Sequence, residues 1–240
     1  MTSLTEPLIL DLPKNFFLAL GFFMISWTLG HLAIGRWLKG GASKTEAALF
    51  KTLAGFALQC LALWFLGRFG LCGRTFLRFL YLSLTVALSP VWIKLLRSTL
   101  ATTKPLLGKL SRFDTALAAI AGLGLIFQLL ASHAPALNED DLSYHLYLPK
   151  AYLEMGAITP PPFQHRHVFY HQIINMSYLP VMAVSGETAA KMLNFFWAIM
   201  LALLAYCLAR RAGLARRVCL IGALSLYASP IVVALSTQAN

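Results

Sequence analysis

Acidic side chains are scarce in this chain. It has nine Asp and Glu in 240 residues, and charged residues of either sign make up only 12%. Soluble globular domains carry about twice that fraction, so the scarcity excludes an ordinary water-soluble fold. With 58% hydrophobic residues and a mean hydropathy of +0.69, the bilayer has to be treated as the solvent. Metal-type cysteine spacing is missing too. Cys60, Cys72, Cys207 and Cys219 form no CxxC pair, and three of them fall inside apolar runs as small hydrophobes would. Met1 to Lys14 lacks the basic start and small-residue cleavage site of a secretory signal, so the first apolar run is expected to stay as an anchor. There is no internal repeat of fixed period. The one low-complexity tract, Pro160-Pro161-Pro162, reads as a stiff extended linker.

What the chain does have is runs of helix length. Only a helix or a closed barrel satisfies the backbone inside lipid, and a helix needs roughly 20 apolar residues to cross. The expected fold is an all-α polytopic transmembrane bundle with spans at about 15–35, 48–67, 76–96, 114–132, 189–209 and 216–235. This divides the chain into N-terminal transmembrane helices, 1–113, and a second part, 114–240. The second part holds one span, a polar loop over 133–188 with interfacial helices, and two further spans. The net charge of +11 does not imply nucleic acid, because the basic residues lie between apolar runs rather than on one soluble face. Summed over alternate loops, thirteen of the twenty Lys and Arg fall on one side and seven on the other. The positive-inside rule puts the thirteen in the cytoplasm and loop 133–188 outside. Val168 to Gly186 contains no charged residue and resembles a span, but a crossing there would put the two most basic loops on opposite sides. It is therefore read as a helix along, or dipping into, the outer interface.

The chemistry is concentrated in the polar loop. Glu139, Asp140 and Asp141 place three of the nine acids side by side just after the fourth span. Carboxylates this close raise one another's pKa, so they either cap a solvated helix start or serve a site. At helical spacing Asp141, Tyr144, His145, Leu148 and Tyr152 share a face, bringing an acid, an imidazole and phenols together. Pro149 interrupts that helix and Gly156 ends it, so the following stretch, with His165, Arg166, His167 and His171, can fold back toward the acids. The three histidines could ligate a zinc-type metal. Equally, Arg166 as a fixed charge and the histidines as donors could face a phosphate. Acids opposite cationic groups at a membrane surface suit transfer of a group from a lipid phosphate to a hydroxyl or amine: the carboxylate takes or orients the acceptor's proton, and the cations stabilise the departing phosphate.

The run Asp140-Asp141-Leu142-Ser143-Tyr144-His145-Leu146, followed by Pro149-Lys150 and Tyr152 to Gly156, resembles the first outer loop of polytopic GT-C glycosyltransferases. These are the relatives of protein mannosyltransferases and of the enzyme that adds aminoarabinose to lipid A. The likeness continues through Gly186-Glu187-Thr188-Ala189-Ala190-Lys191, Ala209-Arg210-Arg211 and Ser229-Pro230. It implies an inverting enzyme that takes a sugar from a lipid-linked polyprenyl-phosphate donor in the bacterial inner (plasma) membrane. Asp140 inherits the primary aspartate role, as base or, as in some members, as a holder of a divalent metal. Asp141 takes the neighbouring site, and Tyr144, His145, Lys150, His165, Arg166, His167 and His171 are candidate substrate contacts. Two features depart from the family. The chain has Phe169-Tyr170-His171 where relatives carry a His-Pro-Pro or Asn-aromatic-Pro element, and it has half the usual number of spans. The resemblance thus implies an N-terminal portion that needs a C-terminal half or a partner chain. The competing reading is a non-enzymatic bundle, either a transporter fragment or a membrane scaffold.

Overall fold

A computed structural model describes residues 8–38, 42–107, 111–135, 144–160 and 172–238. Nine helices and no strand are present among the described residues. Five helices are long and apolar enough to cross a membrane: α1 (Leu8–Ile34), α2 (Lys44–Arg68), α3 (Arg74–Leu107), α4 (Arg112–His133) and α7 (Glu187–Arg211). α8 (Arg216–Tyr227) and α9 (Pro230–Thr237) form an apolar pair bent by 57°, a sixth span where the two cross as one. Pro230 causes the break, since it cannot donate to the preceding turn, and Ser229 caps the new helix through the Val232 N–H. Two short helices, α5 (Tyr147–Met155) and α6 (Gln172–Ser185), lie between α4 and α7. The chain is an integral multi-pass membrane protein, and the expected helical bundle is the one observed. Two boundaries differ: α3 runs on to Leu107, and the last span is two pieces.

Caps fix where the spans begin. Ser43 with Glu46 and Ser111 with Asp114 each form a reciprocal capping box, satisfying amide donors that a helix start leaves orphaned. Side-chain contacts then sort the helix ends onto two faces of the bundle. On one face Glu46 at the start of α2 meets Arg211 at the end of α7 at 3.1 Å, and the Arg217 guanidinium of α8 lies 5.4 Å above the ring of Phe113 in α4. On the other, Ser185 at the end of α6 bonds Asn15 of α1 at 2.5 Å, and Arg78 of α3 donates to the Ala183 carbonyl at 3.0 Å. Lys191 of α7 reaches the end of α4 there as well. The helix ends therefore alternate as successive crossings require.

α1 and α2 approach most closely through glycines. A Cβ at Gly30 would lie 1.7 Å from the Lys51 carbonyl oxygen, and one at Gly55 1.6 Å from that of Ser26. Small residues allow this backbone contact, which in lipid stands in for a hydrophobic driving force, and a buried Ser26–Gln59 hydrogen bond of 2.7 Å seals it.

The described part of the uncharged stretch, α6, is shorter than a span, and its surroundings are protein. The 14 residues of α6 rise about 21 Å, short of a hydrocarbon core of about 30 Å. Gly186, at φ +84°, turns the chain straight into α7, and α6 runs antiparallel beside it. Tyr178 bonds Asn194, and Ile174 lines the same cavity as Trp197 and Leu201. The start of α6 thus lies level with the middle of α7, and residues from Asn175 to Ala183 are buried among α1, α2, α3, α5 and α7.

Candidate functional site

The polar loop leaves α4 at a fixed point. Lys191 projects from the second turn of α7 and is only 3% exposed; its Nζ donates to the carbonyls of Ala134 at 2.6 Å and Pro135 at 3.3 Å. These carbonyls follow the end of α4, where the helix dipole is negative and the last oxygens lack intrahelical partners. The ammonium therefore acts as a cap delivered from a neighbouring helix.

Asp140 and Asp141, the expected catalytic pair, lie outside the described residues. The chain is described again from Tyr144 and His145, whose rings sit 3.9 Å apart centre to centre. His145 Nδ1 faces the Asn175 side-chain oxygen of α6 at 3.1 Å. With that oxygen as acceptor, Nδ1 is the donating nitrogen. Asn175 is itself buried, so the imidazole is held by a side chain with little freedom to move. The structure thus brings Tyr144 and His145 together against α6.

Lys150 goes elsewhere. It pairs with Glu187 at the start of α7 at 3.1 Å, with both side chains well exposed. Leu148 and Tyr152, expected on the ligand-facing side of this helix, are completely buried in the core. Their face is a packing face, and only the turn before α5 presents polar groups to α6. Gly156, left-handed at φ +73°, ends α5.

α5 is pinned to the connection between α2 and α3. Cys72 N–H donates to Gly156 O, and Ile158 N–H to Gly67 O, each at 3.0 Å. The Cys72 thiol donates to the Tyr152 carbonyl at 3.4 Å. Burial pushes that thiol up to about 11, so it stays protonated and unreactive near neutrality. Burial, with a smaller contribution from Cys72, also raises the Tyr152 phenol.

His165, Arg166, His167 and His171 lie outside the described residues, so neither the zinc reading nor the phosphate reading has geometry to judge it by. Among the described residues, no group of three His, Cys, Asp or Glu could hold a metal.

Three residues that the sequence reading left out of the site are central to its framework: Lys191, Asn175 and Asn194. Asn194 accepts from the buried Tyr178 hydroxyl at 3.1 Å and donates to the Gln238 carbonyl at 2.5 Å. It also lines a cavity of about 480 Å³ between α6, α7 and α9 with Trp197 and Ser236. The available signal was polarity at i and i+3 within an otherwise apolar run, which puts Lys191 and Asn194 on one face of α7. Chemically, the described part supplies two fixed ends for the acidic loop, one at Ala134–Pro135 and one at Tyr144–His145, together with an oriented imidazole. No protein-family model, no curated protein and no solved structure matches this chain.

Proposed function

We propose that this chain is the whole or a part of a membrane glycosyltransferase that moves a sugar from a polyprenyl-phosphate donor to an extracytoplasmic acceptor. The observation that carries the reading is the anchoring of both ends of the acidic segment. Lys191 clamps the chain where it leaves α4, and Asn175 clamps His145 where it returns. Tying both ends of a segment reduces the freedom its side chains must lose to reach a substrate, and positioning of this kind is where much of a transferase's rate comes from. In this reading Asp140 takes the proton of the acceptor hydroxyl as that oxygen attacks the anomeric carbon. The glycosyl–phosphate bond breaks on the opposite face and the polyprenyl phosphate leaves. Asp141 assists or helps to hold a divalent metal, and His165, Arg166, His167 and His171 stabilise the departing phosphate. Lys150 can join them at small cost, because an exposed ion pair such as Lys150–Glu187 contributes about 1 kcal/mol or less. The sequence likeness covers roughly the final hundred residues, and members of that family carry about twice as many spans, so a C-terminal half or a partner chain would complete the donor groove. In a bacterial inner membrane, loop 133–188 would face outward.

The test is Asp140→Asn in the complete protein, assayed for sugar transfer from a polyprenyl-phosphate donor in membranes. Loss of turnover with normal abundance is expected, and wild-type turnover would remove Asp140 as the base. One feature favours a transporter instead: α6 reaches only mid-depth, and α8–α9 is broken by 57°, as in bundles with discontinuous helices around a midplane site. Substrate flux through vesicles carrying Asp140→Asn, unchanged from wild type, would select that alternative.

A further inference from the structure

At the opposite end of the molecule from the polar loop, α4 stands away from the bundle. Of its residues only Gln128, Ser132 and His133, near its end, are buried. The gap is a groove of about 400 Å³ between α4, α7 and α8, walled by side chains such as Leu117, Ala121, Ala202 and Leu224. Asp114 and Arg216 mark its mouth and Leu125 and Tyr227 its deep end. The α4 and α8 walls therefore advance about 16 Å along their helices and the α7 wall, from Ile199 to Tyr206, about 10 Å. The walls are apolar over that length, as burial of a hydrocarbon chain requires.

The mouth is basic. Arg216 lies at it, and Arg217 is beside Phe113. Asp114, capped onto Ser111, also acts on both arginines through its charge, and Glu46 is paired with Arg211, so two arginines against one carboxylate leave the mouth net positive. The deep end holds a further unspent group: the Tyr227 hydroxyl is buried without a hydrogen-bond partner, and the residue is 5% exposed. We propose that this groove binds one acyl chain of an anionic phospholipid, with the phosphate held at the mouth by Arg216 and Arg217. Guanidinium forks match phosphate oxygens in pairs, and the apolar walls exclude water from the chain. The site is independent of the transferase reading, since no residue of the polar loop enters it.

The experiment is native mass spectrometry of the full chain in detergent, titrated in parallel with phosphatidylglycerol and phosphatidylcholine. The wild type should retain phosphatidylglycerol roughly tenfold better. The double variant Arg216→Gln/Arg217→Gln should lose that preference while eluting as wild type. Ala121→Phe, which fills the groove, should reduce retention of both lipids, and Ala202→Phe serves if the first variant does not fold. Equal retention of the two lipids by the wild type, or a preference that survives both kinds of variant, overturns the proposal. So does a disulfide between two copies carrying Ala121→Cys in membranes, which would assign the groove to a second copy of the chain.

Discussion

Replacing Gly55 by alanine adds one methyl group at the point where α1 and α2 touch backbone to backbone. The new Cβ would sit 1.6 Å from the Ser26 carbonyl oxygen and 2.7 Å from the Gly30 amide nitrogen. Ordinary contact begins near 3.4 Å, so the helices must separate by nearly 2 Å at this crossing. The neighbours are main chain rather than the flexible tip of a side chain, so nothing local can give way. Forcing a methylene into a filled site costs about 1–3 kcal/mol. The separation also strains the buried 2.7 Å bond between Ser26 and Gln59, adding about 1 kcal/mol. The sum, about 2–4 kcal/mol, is a large share of the stability of a helical bundle this size. Unfolding in mixed micelles with increasing SDS, followed by helicity, should show Gly55→Ala destabilised by that amount. Gly122→Ala, whose added Cβ meets nothing within 4 Å, is the control and should match the wild type. If Gly55→Ala unfolds within about 0.5 kcal/mol of the wild type, the glycine crossing does not hold α1 to α2.

Lys191→Met keeps the stem and removes the ammonium that caps α4; the loop after Pro135 should be cut by protease several-fold faster, at a global cost of about 1–3 kcal/mol, and an unchanged cleavage rate would rule out the clamp. Asn175→Leu removes the partner of His145 Nδ1, and the imidazole should lose its fixed tautomer, read by nitrogen chemical shifts of the labelled ring. In a cysteine-free background, a cysteine at position 140 should react with an impermeant maleimide from outside the cell and one at position 214 only from inside; reaction of both from one face would overturn the arrangement. The fold raises the Cys72 thiol above its ordinary value to about 11, so the stability gained by keeping it protonated is complete below about pH 8.5 and is lost as pH rises through 11. Cys72→Ala should flatten that part of the alkaline unfolding profile, and an identical profile would refute the assignment.

Composition made the class of fold legible because lipid leaves the backbone so few options. The six apolar runs needed only length and charge to be recognised, and the capping residues Ser43 and Ser111 stand just ahead of two of them. What the sequence could not show was depth. Val168 to Gly186 has no charge to place it, and hydropathy is the same whether an apolar helix touches lipid or protein. Only packing reveals that α6 is enclosed by five other helices. Pro230 stood inside an apolar run read as one span over 216–235, whereas in the structure the helix bends there by 57° and Gln128 bonds Tyr227 O and Ser236 on either side of the break, at 3.3 and 3.0 Å.

The same limit explains what was missed at the site. Lys191 was counted as a topology charge, since a lysine four residues into a span usually extends its stem to the interface. Here the stem is buried and the ammonium meets carbonyls at the end of another helix, a partnership with no sequence signature because the two positions are more than fifty residues apart. For Leu148 and Tyr152 the error ran the other way. Helical periodicity put them on one face with Tyr144, which lies in the turn before α5; periodicity does not say whether a face meets ligand or core, and the large apolar area of both side chains decided for the core. The polar groups that tie the described flanks of the acidic loop, Lys191, His145 and Asn175, come from three separate stretches of chain, and each has its partner in another helix or at another helix's end. An electrostatic role for that loop therefore depends on the packing of α4, α6 and α7, and substitutions that loosen those contacts should impair function without touching an acid.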